Sequence, residues 1–541
     1  MAEVIPPDAV DASLLMAHCG QFARHIKLSG TPEELVSLRY IQDQLDHIGY
    51  RTSLLSHPAY ISLPGPARVE VDGTALTAIT HSFSRPSPPD GTSGVLAYLG
   101  QGTDADFARD DLAGAIVLVE GIANPAVAAR AARVGAAGQL HISPHEHLHE
   151  MCISPVWGSP GTETLANLPG AVTCTISNAD GGTLRARLEA GEAPRVVLHA
   201  SVDTGWRPTP ILVAELDGPD PDGPFVLFSG HHDTWYFGVM DNGGANATMI
   251  EAARVLAGHR AQWRRGLRLC FWSGHSHGRY SGSSWYADTH WDELDRRCAV
   301  HVNVDSTGGI GADEMRESST ASELAAVAAE AVRAETGAEH AGRRGSRSSD
   351  MSFWGIGVPS LFGSLSQQPP APVAMRQPLG WWWHTPHDLL DKIDEANLAR
   401  DTRVFVRALS RLLCDPVLPL DYAAHAEALL RELSVIEAAL AGRLSLAPLT
   451  DAAHALRHAA AGQKSDQALM AASRALVPMD YTTGDRFRPD PALPQPPWPV
   501  LQPIRALAEA GEDAAAFAAV DALRARNRVQ HALRAAARAL S

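Results

Sequence analysis

PFVLFSGHHDTWYFGVMDNGGANATMIEAARVLAGH, residues 224–259, begins as an apolar strand, breaks into a polar turn and ends as a helix. Strands of the same texture follow at LRLCFWSG (267–274), AVHVNVD (299–305) and VPSLF (358–362), with a helical stretch, ASELAAVAAEAVRAET (321–336), before the last. Near-continuous apolar strands alternating with helices predict an α/β domain, a mostly parallel sheet with helices on both faces.

Upstream, Leu35, Leu38, Ile41, Leu45 and Ile48 recur at intervals of three or four and Gly49 closes the run, which predicts an opening helix. From about Ser62 to His199 the texture changes to short β-branched runs (ARVEV, GVLAYL, AIVLVEG, RVVLHA) around one Ala-rich helical patch, a compact β-rich insert. Beyond about Glu395 the chain is Ala, Leu and Arg in helical periods, a C-terminal helical domain. The prolines of DYTTGDRFRPDPALPQPPWP (480–499) interrupt it as an ordered crossing loop. The expected division is therefore 1–61 with 205–395, 62–204, and 396–541.

Several domains suit a chain of 541 residues, and 45% apolar with 20% charged residues is globular rather than disordered. The formal charge of -16, with no segregated basic face, argues against a nucleic-acid partner. No stretch of some 18 apolar residues argues for a membrane span, the first residues lack the pattern of a secretory signal, and six cysteines without CxxC spacing fit reduced thiols. A cytoplasmic location is the expectation.

Ligands of open α/β sheets bind beyond the carboxyl ends of the strands. There the sequence delivers His231, His232, Asp233 and Asp241; His275, Ser276 and His277; Asp305 and Ser306; and His384 to Asp388. Imidazoles with carboxylates on one rim suit a divalent metal, zinc before other transition metals.

GHHDTWYFGVMDNGGANATMIEAARVL (230–256), VNVDSTG (302–308) and HTPHDLLDKID (384–394) resemble the metal-binding segments of the co-catalytic zinc peptidases, the family of bacterial aminopeptidases and glutamate carboxypeptidase. GAIVLVEG, ARVGAAG and ANLPGAVTCTIS in the insert are similar to its protease-associated domain, and the C-terminal segment resembles its helical dimerisation domain, which implies a homodimer. The resemblance implies a zinc exopeptidase-like fold. It also implies that His231, Asp241 and Asp305 hold one ion, with Asp241 bridging to a second held by His384, and that Asp233 fixes the His231 tautomer. One or two ions fit this description, and the implied activity is hydrolysis of an amide or peptide bond in a small molecule or short peptide.

The family carries a Glu-Glu pair after the strand matched by LRLCFWSG, the first a general base and the second a metal ligand. Here the segment reads Gly274-His275-Ser276-His277-Gly278. His275 and His277 are the candidates for base or replacement ligand: anchored on Gly282-Ser283 the pair falls on Ser276-His277, with His277 on the second glutamate, and anchored on the strand it falls on His275-Ser276. Losing the pair also leaves open a non-catalytic scaffold, as in the transferrin receptor branch, or a different metal-dependent chemistry on the same site.

Arg343, Arg344 and Arg347 precede Ser349-Asp350, and a guanidinium there, Arg347 foremost, suits a substrate carboxylate; a basic surface loop is the alternative. Trp381-Trp382-Trp383 should send one ring, Trp383, to the pocket as an aromatic wall and another to the core. The alternating histidines from His141 to His149 are either a solvated loop or one reaching over the site with an accessory metal or proton-transfer role.

Overall fold

The computed structural model describes residues 6–345, 347–369, 378–462 and 464–541, so the first five residues of the stretch read for a leader lie outside it. Eleven strands form its sheet: β1 (Arg51–Val71), β2 (Thr74–Thr80), β3 (Thr92–Tyr98), β4 (Ile116–Glu120), β5 (Gly138–Ile142), β6 (Val172–Ile176), β7 (Arg195–Leu216), β8 (Phe225–His231), β9 (Gly266–Trp272), β10 (Cys298–Asp305) and β11 (Ser360–Ser364). Their spatial order is β1-β2-β6-β5-β4-β3-β7-β9-β8-β10-β11, with β1 also paired to β7.

The run β9-β8-β10-β11 is parallel and every residue of β8, β9 and β10 is buried. The reason lies in the alternation of side chains. Phe225 and Leu227 point into a core shared with Tyr286 and Leu294, while Val226 and Phe228 point into the opposite core with Met249 and Leu409. A strand buried on both faces cannot alternate polar and apolar residues, which is why PFVLFSG is apolar almost throughout.

The insert is a unit with its own core. β3 to β6 are parallel, β2 joins β6, and β7 pairs with both β3 and β1, so the strands close on themselves around Val69, Leu118, Leu140 and Leu198. The expected borders at 61/62 and 204/205 fall inside β1 and β7, where Ser62 sits opposite Thr204. Both strands run unbroken from the insert into the larger sheet, so the border is a continuous ribbon and not a linker.

Helix Glu395–Cys414 begins at the border expected after Glu395. Helix Glu395–Cys414 packs on the sheet, with Phe405 wholly buried 5.7 Å from the Phe228 ring and 5.3 Å from Phe362, and it completes one helical layer. The separate helical unit starts at Tyr422–Leu440 and continues through Ala447–Ala459, Asp466–Tyr481, Gln502–Glu509 and Glu512–Leu540. A buried Arg265 joined to Asp466 and to the carbonyls of Leu412 and Asp415 ties this unit to the sheet.

If Glu395–Cys414 belongs to the sheet's core, Phe405→Ala costs about 3–5 kcal/mol in urea unfolding, the range for deleting a buried aromatic ring. A loss below about 1 kcal/mol would return the helix to the C-terminal unit.

Candidate metal centre

The carboxyl ends of β8, β9 and β10 bring His231, His275 and Asp305 to one rim, and one ligand atom from each lies within 4.8 Å of the other two. His231 and His275 are stacked, ring centroids 3.7 Å apart. Asp241 comes from the turn after β8. That turn leads into helix Ala245–Ala257 through Gly244, where a Cβ would stand 2.5 Å from the Thr307 carbonyl oxygen, so only glycine admits the close approach. Asp388 holds the turn in place, its carboxylate accepting from the backbone of Met240 at 2.8 Å and of Asp241 at 3.0 Å. Burial pushes Asp388 up to about 7, against those amide bonds.

Asp241 faces two imidazoles. Its Oδ1 lies 3.1 Å from His231 Nε2 and its Oδ2 3.0 Å from His384 Nε2, while Asp305 Oδ1 is 3.5 Å from His231 Nε2. The Nδ1 atoms are already committed: His231 Nδ1 donates to the Asp233 carbonyl at 2.8 Å and His384 Nδ1 to the Glu150 carbonyl at 2.8 Å. A carbonyl only accepts, so both neutral rings carry their proton on Nδ1 and turn a bare Nε2 lone pair toward a carboxylate. Nitrogen lone pairs and anionic oxygens at 3 Å repel unless a cation lies between them. His231 Nε2 and Asp241 Oδ1 are buried without a hydrogen-bond partner, the state of ligands shaped for a metal. Burial disfavours a charged His231, but the Asp241 and Asp305 carboxylates facing its Nε2 outweigh this and raise its pKa well above the usual range, the mark of a place that favours positive charge.

Two residues stand elsewhere than expected. The Asp233 carboxylate does not set the His231 tautomer, since its backbone carbonyl does so; the carboxylate accepts from Ser29 Oγ at 2.6 Å and from the backbone of Ser276 at 2.9 Å. His277 is not beside the other ligands. It is wholly buried beneath the rim, its Nδ1 2.9 Å from Ser29 Oγ and its ring against Trp235, and burial lowers its pKa. His275 and Ser276 line the cavity in its stead. His275 Nδ1 donates to Asp350 Oδ2 at 2.7 Å, and Asp350 accepts from Ser283 Oγ at 2.7 Å.

The cavity beside these residues holds about 330 Å³ and is closed by the proline-rich crossing loop from Ala492 to Pro499. Trp383 lines it and stacks on His384 at 3.6 Å, Trp382 is buried in the core, and Trp381 stacks on His147 at 4.3 Å. Arg347 lines it too, its guanidinium 4.2 Å above Trp157 and donating to the carbonyls of Asp490 and Pro491. Arg344 is occupied by Asp480. Arg279, Tyr280, Ser306, Ser349, Phe362 and His384 all line the cavity with positive φ, a concentration of costly backbone conformations typical of functional sites.

The histidine loop reaches over. The Glu150 amide donates to the His384 carbonyl while the His384 side chain donates to the Glu150 carbonyl, and His149 Nδ1 donates to the Trp383 carbonyl at 2.5 Å while its Nε2 lies 3.0 Å from His145 Nε2. Asp350, Asp388, Arg279 and the Glu150 carbonyl are site residues that the sequence reading did not assign. Asp388 sits inside the quoted HTPHD and Arg279 directly follows GHSHG, so adjacency to a motif was their only signal.

Residues 212–409, the stretch carrying His231, Asp241, Asp305 and His384, match the profile of Peptidase family M28. The fold is that of solved zinc aminopeptidases: BSAP of Bacillus subtilis superposes with a TM-score of 0.60 at 20% identity over 76% of this chain and 97% of that one. The aminopeptidase from Aneurinibacillus sp. strain AM-1 gives a TM-score of 0.57 at 21% identity over 76% and 97%. Among curated proteins, the aminopeptidase NAALADL1 of Mus musculus is 24% identical over 27% of this chain and 20% of its own length. The probable lipoprotein aminopeptidase LpqL of Mycobacterium tuberculosis is 24% identical over 51% and 54%. The chain thus spans about half or less of the curated relatives it matches.

The buried histidines fix a pH response. Burial depresses His141 to about 4 and His149 to about 3, the latter against its bond to Trp383. The unfolded chain binds those protons first, near 6.5, so stability present above that pH is lost as pH falls toward 4 and then 3. For His141 alone the loss at pH 5 is about 2 kcal/mol. Between pH 7.5 and 5 the stability of the metal-free wild type relative to His141→Gln should drop by about 2 kcal/mol, read from urea unfolding of both proteins at each pH.

Proposed function

We propose that the chain is a metal-dependent peptidase, cleaving an amide or peptide bond next to a free carboxylate or an aromatic group in a small substrate. The observation that carries this is the pair of bare imidazole lone pairs facing the two oxygens of one buried carboxylate. His231, Asp241, Asp305 and His384 would hold zinc, which when bound supplies a Lewis acid and a hydroxide source near neutral pH. The nitrogen and oxygen donor set fits that ion.

The chain's own groups do the rest. The Asp233 and Glu150 carbonyls hold the two rings in the tautomer that leaves Nε2 free. His275, fixed through Nδ1 by Asp350, keeps its Nε2 unspent and has a ring nitrogen within 4.8 Å of ligand atoms of His231 and Asp305, so it can take an ion or a proton. The crossing loop and Trp383 shield the cavity from water. Arg279, Arg343 and Arg347 line it with no carboxylate within 4 Å among the described residues, so an anionic group on the substrate would find an uncompensated guanidinium. The second reading, a scaffold without chemistry, is favoured only by the missing glutamates.

The C-terminal helices are proposed to pair two copies of the chain. Phe517, Val520 and Leu523 on helix Glu512–Leu540 are exposed, Phe517 by 79%. A cytoplasmic location is proposed from six buried cysteines, none in a disulfide. Among the described residues no helix is long and apolar enough to cross a membrane.

His231→Ala and Asp241→Ala should each lose bound zinc and peptidase activity while melting as a folded protein, because both ligands sit on the rim of the sheet. Metal-free wild-type protein without activity on any peptide would leave the scaffold. Arg347→Ala should raise KM about 10- to 100-fold for a peptide with a free carboxylate and leave its amide nearly unaffected, the effect of removing one charged hydrogen bond. Light scattering should give a dimer, and Phe517→Glu should shift it to monomer.

A further inference from the structure

We infer that the two cation positions on either side of Asp241 are unequal by construction: one is the fuller site, in which His275 is a ligand, and the other is a half-site because Ser276 offers it only a neutral hydroxyl. This rests on the proposed metal centre and deepens it.

On one side of Asp241, three donors converge, and Asp241 adjoins them through His231. Asp241 Oδ1 lies 3.1 Å from His231 Nε2, and His231, His275 and Asp305 bring one ligand atom each within 4.8 Å of the others. His275 is prepared as a ligand. Its Nδ1 donates to the wholly buried Asp350, which fixes the ring and raises the basicity of Nε2, the carboxylate–histidine arrangement common behind metal ligands. Two nitrogens and one carboxylate oxygen, with the Asp241 carboxylate beside them, make the three-ligand set that holds a zinc ion with a position left over.

On the other side there are two donors, His384 Nε2 and Asp241 Oδ2, 3.0 Å apart. The third element of the rim offers Ser276, whose hydroxyl is buried and has no hydrogen-bond partner. A neutral hydroxyl is a poor substitute for an anionic ligand. His277 cannot take its place, being beneath the rim against Ser29 and Trp235.

Charge points the same way. The carboxylates lining the cavity are Asp241 and Asp305, enough to neutralise one dication. Asp233 and Asp350 spend oxygens on Ser29, Ser283, His275 and backbone amides. A second dication would sit uncompensated in a cavity that Arg279, Arg343 and Arg347 also line.

The test is metal binding by the full chain, stripped by chelator and titrated with zinc or cobalt, followed by calorimetry and elemental analysis and independent of any substrate. The wild type should take one ion tightly and a second roughly 100-fold more weakly, since lost coordination partners cost at least that much. His275→Ala should weaken the first ion and spare the second; His384→Ala should do the reverse. Ser276→Glu should tighten the second by tenfold or more. Two ions of equal affinity in the wild type, or a first ion indifferent to His275→Ala, overturns the inference; if Ser276→Glu fails to fold, the two alanine variants still decide. One tight ion without hydrolysis of any peptide would leave the inference standing and sink the peptidase reading instead.

Discussion

Everything in the site depends on Asp241 holding a negative charge between two imidazoles inside a buried rim. Burial alone would keep that carboxyl neutral, yet its bonds to His231 and His384 hold it well below the usual carboxylate range. Three separated parts of the chain must meet for this: the end of β8, the turn after it, and the segment at His384. The turn is kept in place by Asp388, four residues after His384, so the same motif supplies one ligand and the clamp on another.

The insert belongs to this construction. His384 stands at positive φ, and its Nδ1 proton goes to a carbonyl of the insert, while the amide of Glu150 returns a bond to the His384 carbonyl. Without the insert the ring could present either nitrogen, and its free Nε2 would not be dictated. The unbroken ribbon of β1 and β7 explains how such a contact can be precise, because two long paired strands transmit position better than a flexible linker. The alternating histidines then read as a docking edge, with His149 buried against Trp383 and His145 bonded to it in turn.

The α/β sheet was legible because strands buried on both faces must be apolar throughout, a pattern that few other structures impose. Three of the four candidate ligands, His231, Asp241 and Asp305, stood out because each ends such a strand or lies in the turn after it, while His384 stood out only by its motif. What escaped was set by contacts between distant segments. The slip between His275-Ser276 and Ser276-His277 is one residue, and in a tight turn one residue separates a side chain on the rim from one packed beneath it on Trp235. Asp350 lies 75 positions from the histidine it fixes, and no local pattern announces such a pair. Helix Glu395–Cys414 has the composition of the C-terminal helices, so only its packing on Phe228 assigns it to the sheet.

Where the resembled family carries two glutamates, His275 and Ser276 line this cavity, and neither supplies a negative charge. Such a change is tolerable only if the positive charge there also falls or another anion arrives. Arg344 is neutralised within the protein by Asp480, but Arg279, Arg343 and Arg347 are not, and burial depresses Arg347 to about 10. The guanidinium is therefore held in a setting that disfavours its charge, and the nearby Asp490 offsets only part of that cost. A cavity of this kind favours an added anion over a further cation, and the two preferences follow from one balance of charge.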